Sequence, residues 1–400
     1  MSAVEVSLGE VVVGVLSRDD DTYGSHRFVF DANYVSRPRR PLLGQIFEDW
    51  IPDEKTKDNG ILPWFDHLLP LAHLPQRKAI ARDAGIDPDD DLAMLAWLGD
   101  DLLGAVRMRV IEATPFRSRR AVAPLVQASE DALYRASLPG AQWKLSLAEG
   151  YKGLTLPLKG AAGAWIAKFH SDIVRDAVAR EYATMTWARH AGLDVPEIRM
   201  VSVDDIAGLP NDVPRGDGGV YLIRRFDRAP KGVRIHTEDF AQILDLPQGP
   251  EQFKTSHEAI AHVLAAIAGP CDVRAYLRQV VFCVLAGNGD AHAKNWSVIY
   301  RDGRSAALSP AYDLTPTILV EGKRHGLALS LDGGRQFDAV TPDSFAHMAA
   351  LIGQPSAKVA TWARDDAAAA REAWHTPEVQ DLFGPSDRRA LQRHLDALQL

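Results

Sequence analysis

The sequence predicts an α+β chain of two lobes with a cleft between them. Three observations lead to that reading. Strand-like segments dominate the middle of the chain and helical periodicity dominates everything after Thr237, the order in which a β-rich lobe precedes a helical one. The 400 residues are enough for two to three units of about 150 residues each. A stretch without periodicity, Thr114 to Ala123, holds Pro115, Arg117, Arg119 and Arg120 and reads as a junction. The expected units are residues 1–115, 116–236 and 237–400.

Taken in order, Val11 to Leu16 and Arg27 to Phe30 read as a hairpin across an acidic turn. A helix is expected over Gln76 to Ala84, stopped by Gly85, and a second from a cap at Asp91 through Ala96, stopped by Gly99. Leu103 to Ile111 reads as a strand. Trp143 to Ala148, Thr155 to Pro157 and Trp165 to Phe169 follow as three more, divided by glycine-bearing turns. A long helix is expected over Ile173 to Ala191, its apolar face Val174, Ala177, Val178, Tyr182, Met185 and Ala188, ended by Gly192 and Pro196. Tyr221 to Phe226 is one more short strand. A helix capped by Asp272 carries Val273, Tyr276, Leu277, Val280, Val281 and Val284 on one face, and a hairpin is expected near Trp296 to Ser309.

Composition excludes several classes. With 46% apolar and 24% charged residues the chain is an ordinary globular one, and no run approaches the roughly 18 apolar residues of a membrane span. Cys271 and Cys283 are too few for a disulfide framework or a four-thiolate metal site, so a reducing, cytoplasmic setting is expected. The net charge of -8 argues against capture of the whole protein by nucleic acid.

The chemistry concentrates in Gly287-Asn288-Gly289-Asp290-Ala291-His292-Ala293-Lys294-Asn295. Two glycines break the preceding helix and present Asp290 on a loop, with Asn295 five residues on, the D-x-x-x-x-N spacing of a phosphotransferase catalytic loop. A carboxylate can accept the proton of an attacking hydroxyl, and an amide oxygen suits Mg²⁺, a hard cation. The spacing alone is weak, since turn and capping roles account equally for Asp and Asn in loops. The hairpin that follows would return the chain beside Asn295 and deliver Asp313 as a second metal ligand. In the preceding lobe, Lys168 ends an apolar strand and Glu181 lies thirteen residues later on the next helix, the relation by which protein kinases steer an ammonium onto nucleotide phosphates. A lysine snorkelling to water from a strand end would look the same.

Together, Ser137-x-x-Gly140-Ala141-Gln142-x-Lys144, the Gly289 to Asn295 loop and Tyr312-Asp313-Leu314 resemble the HipA family of serine/threonine kinase toxins. Phe226-Asp227-Arg228, Ile235 to Phe240 and Trp64 to Pro70 are similar to further family segments, so the likeness covers almost the whole chain. The resemblance implies a protein-kinase-like fold with a small β-rich N-terminal subdomain and a mainly helical C-terminal lobe. It implies ATP and Mg²⁺ as cofactors, Asp290 as catalytic base, and Asn295 and Asp313 as metal ligands. Lys168 would meet the phosphates, and Pro139, Gly140, Ala141, Gln142, Trp143 and Lys144 would cover the nucleotide. Arg224, Arg225 and Phe226 would line the adenine pocket, largely through backbone, while His292, Ala293 and Lys294 would border the phosphates. Ser137 matches the serine that family members phosphorylate on themselves. The implied partners are a protein substrate, such as an aminoacyl-tRNA synthetase or other translation component, and a HipB-like DNA-binding antitoxin, with nucleic acid met only through that antitoxin. Arg224 stands where the family has an acidic residue, and Trp143 is bulkier than its counterpart. A small-molecule phosphotransferase and a non-catalytic antitoxin-docking module are the alternatives to a protein kinase.

Overall fold

Three antiparallel-dominated sheets and a helical layer make up the computed structural model, which describes residues 3–18, 24–51, 53–57, 60–112, 142–151, 153–157, 162–171, 174, 176–320 and 326–400. The expected junction near Thr114, the basic run Arg117 to Arg120, Ser137, Pro139, Gly140 and Ala141 lie outside the described residues.

The first sheet is built from β1 (Ala3–Leu8), β2 (Val11–Arg18), β3 (His26–Phe30), β4 (Lys55–Lys57) and β5 (Val106–Glu112), in the order β4-β3-β2-β1-β5. The expected β2–β3 hairpin is present, with Gly14 opposite Phe30. β1 escaped the sequence reading although Val4, Val6 and Leu8 alternate inward along it. Helix α1 (Pro75–Ala84) ends as expected at Gly85, in the left-handed region at φ 70°. Helix α2 (Asp91–Leu98) is capped by Asp90 rather than Asp91, the Asp90 carboxylate accepting from the Ala93 N–H at 3.1 Å.

The second sheet contains β6 (Lys144–Gly150), β7 (Gly153–Thr155), β8 (Trp165–Lys168), β9 (Ile198–Ser202), β10 (Ile206–Ala207) and β11 (Gly219–Arg224), in the order β10-β7-β6-β8-β11-β9. Its Leu145, Leu147, Trp165 and Leu222 share one apolar core with Phe28, Phe47 and Phe65 of the first unit. Helix α3 (Ala177–His190) turns the other way. Trp187 packs on Trp374 and Phe282 with ring centroids 5.0 and 5.1 Å apart, so the far end of α3 belongs to the helical lobe.

The chain after residue 236 begins with strand, not helix. β12 (His236–Asp239) pairs with β13 (Ser297–Tyr300), which pairs in turn with β14 (Ala307–Leu308). Helical periodicity downstream hid β12 because its partner lies some sixty residues on, at Ser297 to Tyr300. Helices α4 (His257–Ile267), α5 (Pro270–Ala286), α6 (Ser356–Trp374) and α7 (Pro385–Ala397) form the helical layer. Asp272 does not cap α5, whose N-cap is Gly269; its carboxylate accepts from the Leu308 N–H at 2.7 Å and ties α5 to β14. Among the described residues no helix is long and apolar enough to cross a membrane.

Glu238 of β12 is buried where the first unit meets the helical lobe. It accepts from Trp64 Nε1 (2.8 Å), the Tyr300 hydroxyl (2.6 Å) and the Gln45 N–H (3.1 Å), all neutral donors. Burial outweighs these bonds and pushes its pKa up to about 7. A carboxyl raised on folding stabilises the native state below its unfolded pKa and loses that contribution as pH rises through the folded value. Between about pH 5 and pH 8 the loss should approach 3 kcal/mol. Glu238→Gln should flatten that pH dependence in denaturant unfolding, and an unchanged slope would show that Glu238 is already ionised throughout.

Candidate active site

The helical α5 run ends at Gly287, whose φ of 63° and close approach to Ile318 exclude a side chain: a Cβ there would lie 2.6 Å from Ile318. The chain then turns into the loop bearing Asp290. Hydrogen bonds to the Asp290 backbone hold this loop. The Asp290 N–H donates to Asn288 Oδ1 (3.1 Å), and the Asp290 carbonyl accepts from the His292 N–H (2.8 Å) and from Asn295 Nδ2 (2.8 Å). With its nitrogen so committed, the Asn295 amide oxygen is the atom left for a cation. The β13–β14 hairpin then brings Tyr312 back to this loop, where its hydroxyl donates to the Lys294 carbonyl (3.0 Å) and accepts from Ser297 (2.6 Å).

Asp313 follows with φ 56°, a conformation uncommon outside glycine and found where surroundings over-determine it. Here the surroundings are two lysines. Lys168 Nζ bonds Asp313 Oδ1 and also Glu181 Oε1 (2.5 Å), and Lys144 Nζ lies 3.6 Å from Asp313 Oδ2. Burial disfavours the Asp313 charge, but Lys144 and Lys168 overcome it and hold the carboxyl well below the usual range. Burial likewise opposes the Lys168 charge, yet Asp313 and Glu181 raise its pKa to about 12. Glu181, deeper still, is pushed up by burial to about 7.

These groups surround one cleft of about 510 Å³ between the second sheet and the helical lobe. Gln142, Lys144, Lys168, Arg224, Arg225, Phe226, Asp290, His292, Lys294, Asn295 and Asp313 all line it. Ala293 is fully buried beneath the loop, and Trp143 packs against the core shared with the first unit. The N–H groups of Arg224 and Arg225 serve the Glu197 and Ala164 carbonyls at 2.8 and 2.9 Å, and the Phe226 ring lies 5.7 Å from that of Tyr312 on the wall of the cleft. The Arg225 guanidinium points elsewhere: Nη1 meets Asp101 (2.9 Å), Nη2 and Nε meet Asp227 (2.8 and 2.9 Å), and its side chain is 0% exposed.

The first unit reaches the site too, which the sequence reading did not foresee. Lys294 Nζ donates to His67 Nδ1 (2.9 Å) and the His67 carbonyl (2.7 Å), and Asp239 lies 3.6 Å away. Burial, and then the Lys294 charge, lower the His67 pKa to about 4, so the imidazole is a neutral acceptor at physiological pH. Both residues sat in segments marked by the family likeness, but only three-dimensional contact joins them.

The donor set suits Mg²⁺. The Asn295 amide oxygen and the Asp313 carboxylate are hard oxygen ligands on one cleft, and Mg²⁺ ordinarily takes one or two such groups alongside phosphate oxygens and water. A strand lysine paired with a helix glutamate, facing an Asp/Asn loop and a second carboxylate across a cleft, defines a kinase-like fold.

The chain belongs to the HipA family: the HipA N-terminal domain matches residues 4–109 and the HipA-like C-terminal domain residues 136–374. The candidate kinase Y4dM of Sinorhizobium fredii is 36% identical over 410 residues, spanning 100% of this chain and 98% of its own. The serine/threonine-protein kinase toxin HipA of Shewanella oneidensis is 23% identical over 367 residues, 82% of this chain and 78% of the toxin. In structure, the chain is similar to HipA from the complex of HipA, HipB and operator DNA of Shewanella oneidensis MR-1. The TM-score is 0.72 at 20% identity, with 99% of this chain and 96% of that one covered.

Proposed function

We propose that this chain is a cytoplasmic, Mg²⁺-dependent serine/threonine protein kinase that serves as the toxin of a toxin–antitoxin pair. The observation that carries the reading is Lys168 held between Glu181 and Asp313 on the cleft that Asp290 and Asn295 also line. A serine or threonine hydroxyl of the substrate would attack the γ-phosphorus of ATP. The new O–P bond forms as the bond to the β-phosphate bridging oxygen breaks, ADP leaves, and the hydroxyl proton passes to the Asp290 carboxylate. Lys168 and Lys144 would orient the phosphates, and Phe226 would stack on the base. Bound at Asn295 and Asp313, Mg²⁺ would offset negative charge on the phosphate oxygens.

The family likeness adds finer terms. The substrate would be a translation component such as an aminoacyl-tRNA synthetase, Ser137 a site of self-phosphorylation, and the partner a HipB-like antitoxin that supplies the contact with DNA. The likeness to the serine/threonine-protein kinase toxin HipA of Shewanella oneidensis and the N-terminal unit support a protein kinase over a small-molecule one.

The test is transfer of the labelled γ-phosphate of ATP in cell extract, with phosphosites mapped by mass spectrometry. Label on serine or threonine of an extract protein, lost on chelation of Mg²⁺, is the expected result. Asp313→Asn should abolish both the transfer and the Mg²⁺ dependence of ATP binding. Label confined to small molecules would overturn the protein substrate, and ATP bound without any transfer would leave only a docking module.

A further inference from the structure

We infer that the C-terminal helix α7 is a positioning element of the phosphotransfer site and acts through an Arg180–Asp387 pair; the inference rests on the kinase reading above. Arg180 and Glu181 are neighbours near the start of α3. The residue before that helix, Asp176, has φ 56° and its side chain makes no cap, so tertiary contacts orient the first turn. Two such contacts are the Glu181–Lys168 pair and a bidentate bond from Arg180 to α7. Arg180 Nε meets Asp387 Oδ2 at 2.7 Å and Nη2 meets Oδ1 at 2.9 Å, with both side chains largely buried. A planar fork of this kind fixes direction as well as distance.

The same guanidinium reaches a third element. Its Nη1 donates to the Leu319 carbonyl at 3.3 Å. The segment Thr317–Leu319 is itself bonded to the catalytic loop. Thr317 Oγ1 accepts from the Gly289 N–H (2.7 Å), and the Ile318 N–H donates to the Gly287 carbonyl (3.2 Å). Arg180 therefore joins the helix that carries Glu181 to the loop that carries Asp290, and Asp387 holds Arg180 in place. Helix α7 is a firm anchor: Leu391 and Leu395 are buried, and His394 Nε2 bonds the Val284 carbonyl (2.8 Å) on α5, the helix that leads into the loop.

The consequence is specific to the front of α3. Its far end is fixed independently by Trp187, whose Nε1 donates to the Ala370 carbonyl at 2.7 Å. Losing Asp387 loosens the first turn and leaves the rest packed. Glu181 then holds Lys168 less well, and Lys168 is drawn to Asp313, the carboxylate meant for the metal. The family-matched segment ends at residue 374, before α7 begins, so this support lies outside it.

The experiment compares the unaltered chain with Asp387→Asn and Asp387→Glu. Each is read for kcat and ATP KM in phosphate transfer, for thermal midpoint, and for amide hydrogen exchange along α3. Asp387→Asn should lower kcat by about tenfold with little change in midpoint, and Asp387→Glu should restore most of it. Exchange should quicken at residues 180–184 and stay slow around Trp187. Full activity in Asp387→Asn overturns the inference, as does a loss that merely follows the folded fraction. If the unaltered chain transfers no phosphate, the kinase reading fails on its own, and exchange still decides the link: unchanged protection at 180–184 overturns it.

Discussion

Asp290→Asn should leave the chain folded and slow phosphate transfer by about 10²–10⁴-fold, the range expected for losing a general base. The structural half of this expectation follows from how the loop is held. Its bonds run from the Asp290 N–H to Asn288 and to the Asp290 carbonyl from Asn295 and His292, and the carboxylate takes part in none of them. An amide of the same shape therefore fits without strain. The chemical half follows from proton affinity, because a neutral amide cannot take up the hydroxyl proton as the O–P bond forms. Single-turnover transfer with ATP affinity measured in parallel separates the two halves. ATP should bind about as before, since Lys168, Lys144 and Phe226 are untouched. A rate within about threefold of the unaltered chain would remove Asp290 from the base role.

Much of the site was legible because its parts are carried by local pattern. Gly287 and Gly289 mark the break after an apolar helix, and Asp290, Asn295 and Asp313 follow in the order in which a loop and a hairpin would present them. Lys168 and Glu181 were readable as strand end and next helix, and they meet at 2.5 Å. What escaped depended on partners far away in sequence. An arginine at 225, beside the expected adenine pocket, invites a ligand role. Its burial became visible only through Asp101, 124 residues earlier, for which the sequence holds no local cue. The approach of His67 to Lys294 spans 227 residues and is equally silent. The same reason explains β12: its strand character comes from the ladder with β13, while its own few residues run straight into the short helix Phe240–Ile243. Misplaced caps are a smaller matter of register. Asp90 and Asp91 are chemically interchangeable as caps, and geometry alone selects the first.

Asp101→Ala should destabilise the chain by about 3–5 kcal/mol, the usual cost of stranding a buried charge by removing its partner. Asp101, Arg225, Asp227 and Arg228 form a closed set of two acids and two bases, none more than 4% exposed at the side chain. Asp101 Oδ1 takes bonds from both arginines at 2.9 and 2.8 Å, Asp227 Oδ2 takes one from each at 2.8 and 2.9 Å, and the Leu102 and Gly104 carbonyls take others. Burial works against each carboxylate, but the arginines outweigh it and hold both below the usual range. Their contribution is therefore complete above the unfolded carboxyl pKa and fades only as pH falls through the depressed folded values. With Asp101 gone, two guanidiniums share one carboxylate in a site closed to water. On the kinase reading the damage should also reach the nucleotide, because the set ties the first unit, through Asp101, Leu102 and Gly104, to the cleft-lining segment Arg225 to Phe226. Guanidinium unfolding at neutral pH measures the first effect and ATP affinity the second. Replacing the whole set with apolar residues should cost far less than removing one acid, because no charge is then left behind. A change below about 1 kcal/mol for Asp101→Ala would mean that water reaches the arginines and screens them, and the junction would then owe its strength to the shared apolar core alone.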